Sequence, residues 1–541
     1  MKLRKYGFFG VVLFGLLLSS SVPSLAQNVT YDDILHSATQ PENWLTYGGN
    51  YSSQRFSELK QIDTKNVGSL KMQWVYQLRQ TGINESSPIV VGGIMYITEP
   101  PSTVTALDVR TGKAIWRYVP KLPKNLLTIG LFPTNRGVAI LGDTVYVATI
   151  DSYLVALDAK TGAVRWRTHV AENKEGYAIT QAPLAINGRI ITGTGGGEAG
   201  LRGILDAYDA KTGKRLWRIW TVPAAGEPGV ETWSGDSWKW GGATTWNGGS
   251  YDPESNTIYW GTGQPTPDWN GDGRLGDNLY SCSLLAIDAD TGKMKWYFQF
   301  TPHETHDWDS AEPPILFDAT LNGKPRKLVA LANRNAFYYV LDRVTGQFLV
   351  GVPFAKQTWA KGLDAKGRPI LADNIEPSAQ GTLVYPAITG AVNWSSPSYS
   401  PLTGLFYVNT REMGAYYFKG KPTIEPANPA DTGGGGGQRT LSGDNAYNAI
   451  RALEATTGKR KWQFKMSGGD TWTGVLSTAG GLVFSADGSG NLFALDAETG
   501  KPLWNFNLGV GFRANPVTYA VDGKQCIAVS AGNSLFVFSL P

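Results

Sequence analysis

Apolar and polar positions alternate along this chain in short runs broken by aspartate and glycine, the pattern of half-buried strands joined by tight turns. The clearest run is Ala106-Leu-Asp-Val-Arg-Thr-Gly-Lys-Ala-Ile-Trp116, and it recurs at Ala156–Trp166, Ala207–Trp217, Ala286–Trp296, Ala452–Trp462 and Ala494–Trp504. A weaker copy, Val340-Leu-Asp-Arg-Val-Thr-Gly346, lacks the tryptophan. Asp-x-x-Thr-Gly is turn chemistry: the aspartate bonds forward to backbone, and the glycine supplies a positive φ. The tryptophan four residues after each glycine predicts a ring packed between neighbouring units, which is how a modular array of sheets buries its faces.

Successive repeat glycines lie 50, 51, 79, 54, 112 and 42 residues apart. The 112-residue gap fits two units, one with an eroded signature at Ser400-Pro-Leu-Thr-Gly404, and an opening unit near Trp74 brings the count to about eight. The predicted fold is all-β, an eight-bladed β-propeller with tryptophan-docking repeats, whose remaining terminal strands pair to close the ring. A linear solenoid is the alternative. The long gaps imply insertions, which in repeat proteins gather on one face. The glycine run Asp431–Gly437 reads as a flexible loop, a surface excursion or lid rather than a phosphate cradle.

The chain has 541 residues, 42% hydrophobic and 17% charged, with 65 Gly and 19 Trp, ample for a large core crossed by many turns. Lys2, Arg4 and Lys5 precede an apolar run from Phe8 to Leu18, and Ser24-Leu-Ala26 offers small residues for cleavage. Residues 1–26 therefore read as a secretory signal peptide, residues 27–541 as one propeller domain, and the mature protein as exported and soluble. No apolar run reaches membrane-spanning length. Residues 1–26 carry three Lys/Arg and no Asp/Glu, so their removal leaves 46 basic against 45 acidic residues. That balance disfavours a nucleic-acid partner. Cys282 and Cys526 are either free buried thiols or one long-range disulfide, and with no Cys-x-x-Cys-His there is no covalent haem.

The candidate chemistry centres on Thr301-Pro-His-Glu-Thr-His-Asp-Trp-Asp-Ser310. If the segment is extended, Asp307 and Asp309 share one face, and two such carboxylates resist joint ionisation unless a cation or a basic group sits between them. His303 and His306 invite a zinc reading, although structural roles suit them better in a chain with four histidines.

Together, the Asp-x-x-Thr-Gly-x-x-x-Trp repeat and the segment from Gly276-Asp-Asn-Leu-Tyr280 to Asp309 resemble the quinoprotein alcohol dehydrogenases, from about residue 41 to the C-terminus. The resemblance implies a periplasmic eight-bladed propeller that oxidises alcohols with pyrroloquinoline quinone (PQQ) and a metal ion and passes electrons to a soluble cytochrome c. It also implies the site. Asp307 matches the general base and a metal ligand, and Glu198 matches the metal-binding glutamate. Gln264 stands where an asparagine ligand is usual, and Asp309 where lanthanide-dependent members carry an additional aspartate. A fourth oxygen ligand adds negative charge, so the metal expected is a lanthanide in preference to calcium. Trp246 matches the floor under the quinone, and Glu85, Arg136, Thr180, Gly196, Gly197, Arg334, Asn393 and Trp472 match cofactor contacts. Where many members carry adjacent cysteines over the quinone, this chain has Gly130-Leu131, which leaves the roof to Leu131 or Phe132. A dehydrogenase acting on sugars or aldehydes and a non-enzymatic propeller scaffold are the competing functions. The alcohol and the oligomeric state are open, a homodimer included.

Overall fold

The computed structural model describes residues 28–128, 132–421, 435–441, 446–469 and 471–541. The signal expected over residues 1–26 and the Gly130-Leu131 pair lie outside the described residues. Among the described residues the regular structure is almost all strand, with one five-residue helix at Tyr31–Leu35 and a few single 3-10 turns.

The repeat becomes a sheet of four antiparallel strands in sequence order. The first is Ile89–Val91, Ile94–Glu99, Thr103–Asp108 and Ala114–Tyr118. The same plan returns in the sheets that begin at Ala139–Leu141, Leu184–Ile186, Ser250–Asp252, Ile315–Leu321, Ser398–Ser400 and Leu476–Thr478, the last gaining Phe56–Ser57 as a fifth strand parallel to Leu476–Thr478. One further sheet joins Lys71–Gln77 to the last three strands, Val517–Val521, Lys524–Ala531 and Ser534–Ser539, with Lys71 opposite Ser539.

The Asp-x-x-Thr-Gly turn links the third and fourth strands. In the first sheet Asp108 Oδ1 accepts from the backbone N–H groups of Arg110 and Thr111, and Gly112 donates to the Asp108 carbonyl at 2.8 Å. The tryptophan then reaches into the turn of the following sheet. Trp116 donates from its indole to the Ala159 carbonyl at 3.0 Å, as Trp166 does to Ala210, Trp217 to Ala289, Trp296 to Arg343 and Trp462 to Ala497. Gly162 has φ +73°, and a Cβ there would lie 2.5 Å from the Trp116 ring. The turn therefore needs glycine both for its backbone conformation and for room.

Two sequence readings change. Ser400–Gly404 is not an eroded copy of the repeat turn: it links Ser398–Ser400 to Leu405–Glu412, the first two strands of one sheet. The 112-residue gap thus spans one sheet and two insertions, one ahead of Ser398–Ser400 and one between Leu405–Glu412 and Tyr447–Glu454, which together carry two small sheets. Within the second insertion the glycine run does not end as a loop. Gly436–Thr440 is a strand paired with Ala415–Lys419, and a Cβ at Gly436 would lie 2.0 Å from the Phe418 carbonyl oxygen. Residues 431–434 of the run lie outside the described residues. Cys282 and Cys526 are free, buried thiols.

Candidate active site

A cavity of about 340 Å³ collects most of the residues singled out in the sequence. Glu85, Arg136, Thr180, Gly196, Glu198, Trp246, Asp307, Asp309, Arg334, Asn393 and Trp472 all line it. Gly197 and Gln264 lie against each other just outside the lining: a Cβ on Gly197 would be 3.5 Å from Gln264 Nε2. The fold assembles this wall by a simple rule. Glu85, Thr180, Trp246 and Trp472 each stand four residues ahead of the first strand of a sheet, so four of the sheets present one side chain apiece to the same space from the same register.

Arg334 lies between the two aspartates. Its Nη1 bonds Asp309 Oδ2, while Nη2 is 3.7 Å from Asp307 Oδ2 and donates to the Ile388 carbonyl. This is the basic group that two close carboxylates require. The segment is not simply extended, because Asp307 has φ +62°. Glu304 holds that conformation: its carboxylate accepts from the backbone N–H of His306 at 2.5 Å and of Asp307 at 3.0 Å. Asp309 is tied down further, accepting from the Gln264 backbone at 2.7 Å and from the Trp246 indole at 3.2 Å.

Burial pushes the Glu198 carboxyl up to about 7, with the negative charge of Asp309 adding to the effect and a hydrogen bond from Gln264 opposing it. Burial also raises Asp307 well above the usual carboxylate range, against the pull of Arg334. Arg334 loses hydration on burial, yet Asp309 and Asp307 outweigh that and raise its pKa. Glu304 is pushed up to about 7, again by burial first.

The opposite wall is aromatic and cationic. Arg136 pairs with Glu85 at 2.8 Å and bonds Thr180 Oγ1 at 2.6 Å. Its guanidinium lies 5.0 Å from the Trp246 ring and 4.8 Å from the Trp394 ring. Trp394 in turn stacks on Trp472 with ring centroids 6.3 Å apart. The histidines do not form a metal pair. His306 is buried, stacks on Trp308 at 4.4 Å and bonds the Ile375 carbonyl, while His303 bonds the Gly276 carbonyl.

The wall fits a planar polyanion. Arg136 Nε, Arg334 Nε and Thr389 Oγ1 are buried polar atoms with no protein partner, and such atoms call for a ligand or water. The acids offer hard oxygen donors, although among the described residues no three His, Cys, Asp or Glu side chains converge into a ligand cage. Phe132, expected as part of the roof, does line the cavity. Sequence reasoning missed Trp394, Arg513, Glu304 and Asp268. The first two obey the four-residue rule, standing ahead of Ser398–Ser400 and Val517–Val521, and that register could have found them. Glu304 and Asp268, a buried acid 3.4 Å from Gln264 Nε2, had no comparable signal.

Residues 44–358 match the family model described as the glucose/ethanol/alcohol dehydrogenase β-propeller domain, and residues 446–540 match that of the outer membrane protein assembly factor BamB. The quinoprotein alcohol dehydrogenase PedH of Pseudomonas putida is 40% identical, over 96% of this chain and 91% of its own. The lanthanide-dependent methanol dehydrogenase of Methylacidiphilum fumariolicum is 35% identical, over 98% of this chain and 92% of its own. Among solved structures, a europium-containing methanol dehydrogenase superposes with a TM-score of 0.89 at 32% identity, covering 94% of this chain and all of that one. The quinohemoprotein alcohol dehydrogenase of Comamonas testosteroni gives 0.88 at 34% identity, covering 95% and 82%.

Proposed function

The chain belongs to the family of PQQ-dependent alcohol dehydrogenase β-propellers, and we propose that it is itself a PQQ- and metal-dependent dehydrogenase that oxidises alcohols to aldehydes. The observation that carries this reading is the single cavity in which Asp307, Glu198 and Asp309 face Arg136, Trp246 and Arg334. The eight main sheets are read as eight blades, docked through tryptophans except at the sheet that begins at Ile315–Leu321, where Val352 and Tyr338 face Gly458 instead. In this reading residues 27–541 form one catalytic domain behind a signal peptide at 1–26, and the enzyme is periplasmic. A soluble cytochrome c is the electron acceptor in this reading.

PQQ, when bound, supplies a hydride acceptor, and a hard cation beside it supplies Lewis-acid polarisation. Arg136, Thr180, Asn393 and Trp472 would hold the cofactor's edge, and Arg334 would answer its oxygens through forked, charge-assisted bonds. Trp246 gives a flat apolar floor, fixed in its plane by the bond to Asp309. Gly196 lets the backbone come close: a Cβ there would lie 2.1 Å from the Gly176 carbonyl oxygen. Glu198, Asp307, Asp309 and the Gln264 amide would hold the metal, and three carboxylates suit a lanthanide(III) ion better than Ca²⁺.

Asp307 would take the proton of the substrate hydroxyl. Burial raises its basicity, and Arg334 nearby stabilises the carboxylate that must be present before turnover. The test is reconstitution of the apoprotein with PQQ while Ca²⁺ is titrated against La³⁺, with dye-linked oxidation of short alcohols as the readout. Activity with La³⁺ and not Ca²⁺, lost in Asp309→Ala, is the expected result. Equal activity with Ca²⁺ overturns the role given to Asp309, and no PQQ binding with either ion overturns the dehydrogenase reading.

A further inference from the structure

Three guanidinium groups line the cavity, and one of them is left over. Arg136 is paired with Glu85, and Arg334 with Asp309. Arg513 has no ion pair and no hydrogen bond among the described residues. It is held by rings instead, 5.3 Å from the centroid of Trp472 and 5.9 Å from that of Phe132. Ring faces steady a cation without neutralising it or occupying its N–H donors.

The position is built, not incidental. Arg513 stands four residues ahead of Val517–Val521, the register from which Glu85, Thr180, Trp246 and Trp472 also reach the cavity. Its charge is felt inside, where it joins Arg136 in opposing the effect of burial on Glu85. The Phe132 ring beside it is 58% exposed, an apolar surface that a molecule seated there would cover. Arginine stays charged at any working pH and presents a planar fork matched to a carboxylate.

We propose that Arg513 is a carboxylate-binding residue of the cavity, which deepens the dehydrogenase reading and rests on it. Two sources of carboxylate fit: the acid groups of PQQ, and the acid group of a hydroxy-carboxylate substrate whose alcohol end reaches Asp307. In the second case the enzyme prefers ω-hydroxy acids to plain alcohols of the same length.

Two measurements on wild type, Arg513→Ala and Arg513→Lys, all checked for unchanged thermal melting, separate these outcomes. The first is PQQ titration of the apoprotein by quenching of tryptophan fluorescence, which needs no turnover. The second is kcat/KM for 4-hydroxybutanoate divided by that for 1-butanol in the reconstituted enzyme. A tenfold or larger rise in the PQQ Kd of Arg513→Ala assigns the residue to the cofactor. A tenfold or larger fall in the substrate ratio, with PQQ Kd within twofold of wild type, assigns it to the substrate. Arg513→Lys recovers part of the loss in either case, because it keeps the charge and not the fork. No change in either quantity overturns the proposal while leaving the dehydrogenase reading intact. Wild type that binds no PQQ overturns that reading, and this inference with it.

Discussion

The indole of Trp246 donates to Asp309 Oδ2 at 3.2 Å, so the flat floor of the cavity and one of its acids are a single unit. A side chain with two torsions is thereby fixed at its far end. Whatever displaces Asp309 also releases the floor.

Trp246→Phe keeps an aromatic floor and deletes this bond. A hydrogen bond to a charged group contributes about 1.5–3 kcal/mol. The expected outcome is metal affinity weakened by about tenfold, one factor of ten being about 1.4 kcal/mol, with PQQ still bound. Calorimetric titration of La³⁺ into the PQQ-loaded protein measures it. Unchanged metal affinity would show that Arg334 and the Gln264 backbone suffice to hold Asp309.

Asp307→Asn removes the proposed base and keeps the shape. Loss of a positioned base lowers turnover by about 10²–10⁴-fold. The expectation is a fall of that size in kcat with PQQ binding retained, read by stopped-flow reduction of the cofactor and by fluorescence titration. A variant with near wild-type kcat would remove Asp307 from the role of base.

Glu304→Gln tests a group that supports the site from behind. The folded pKa of Glu304, about 7, is raised above the ordinary range by burial. A carboxyl raised in this way favours the folded state fully below its unfolded pKa, and that advantage is lost as pH climbs through about 7. At one pKa unit per 1.4 kcal/mol the whole effect is about 3 kcal/mol. Urea unfolding of the metal-free protein at pH 5 and pH 8 should therefore show wild type losing stability relative to Glu304→Gln. A gap between the two that does not change with pH would refute the assignment.

Gly162→Ala probes the junction between sheets. The residue has φ +73°, and a Cβ would sit 2.5 Å from Trp116. Backbone strain of roughly 1–2 kcal/mol and overpacking of about 1–3 kcal/mol predict a loss of ~3 kcal/mol in urea unfolding. Gly188, at φ +78° with nothing within 4 Å of its Cβ position, is the control, and Gly188→Ala should lose only the backbone part.

The strand pattern and the turns were legible because each repeat states its own local chemistry. Asp108, Thr111, Gly112 and Trp116 are each explained by contacts within one turn or the next sheet. The cavity was legible through an ordered resemblance, since Glu85 and Trp472 lie far apart in sequence and nothing local connects them. What escaped was set by longer-range geometry. Glu304 looks like any acid in a loop until its carboxylate is seen under the Asp307 amide. Ser400–Gly404 carries the composition of the repeat turn and serves a different pair of strands, because the same residues suit any tight reversal.

Lys71–Gln77 lies in one sheet with Ser534–Ser539, strands from opposite ends of the described chain. That pairing sets an order on the chain's maturation. Most of the sheets can form from neighbouring sequence while synthesis proceeds, but the sheet that seats Trp74 against Gly112 has to wait for Ser534–Ser539. Until then, Lys71–Gln77 is an open template to which any passing strand could add. A protein assembled in this way is most vulnerable to misassociation in the interval before Ser534–Ser539 reaches its partner strand.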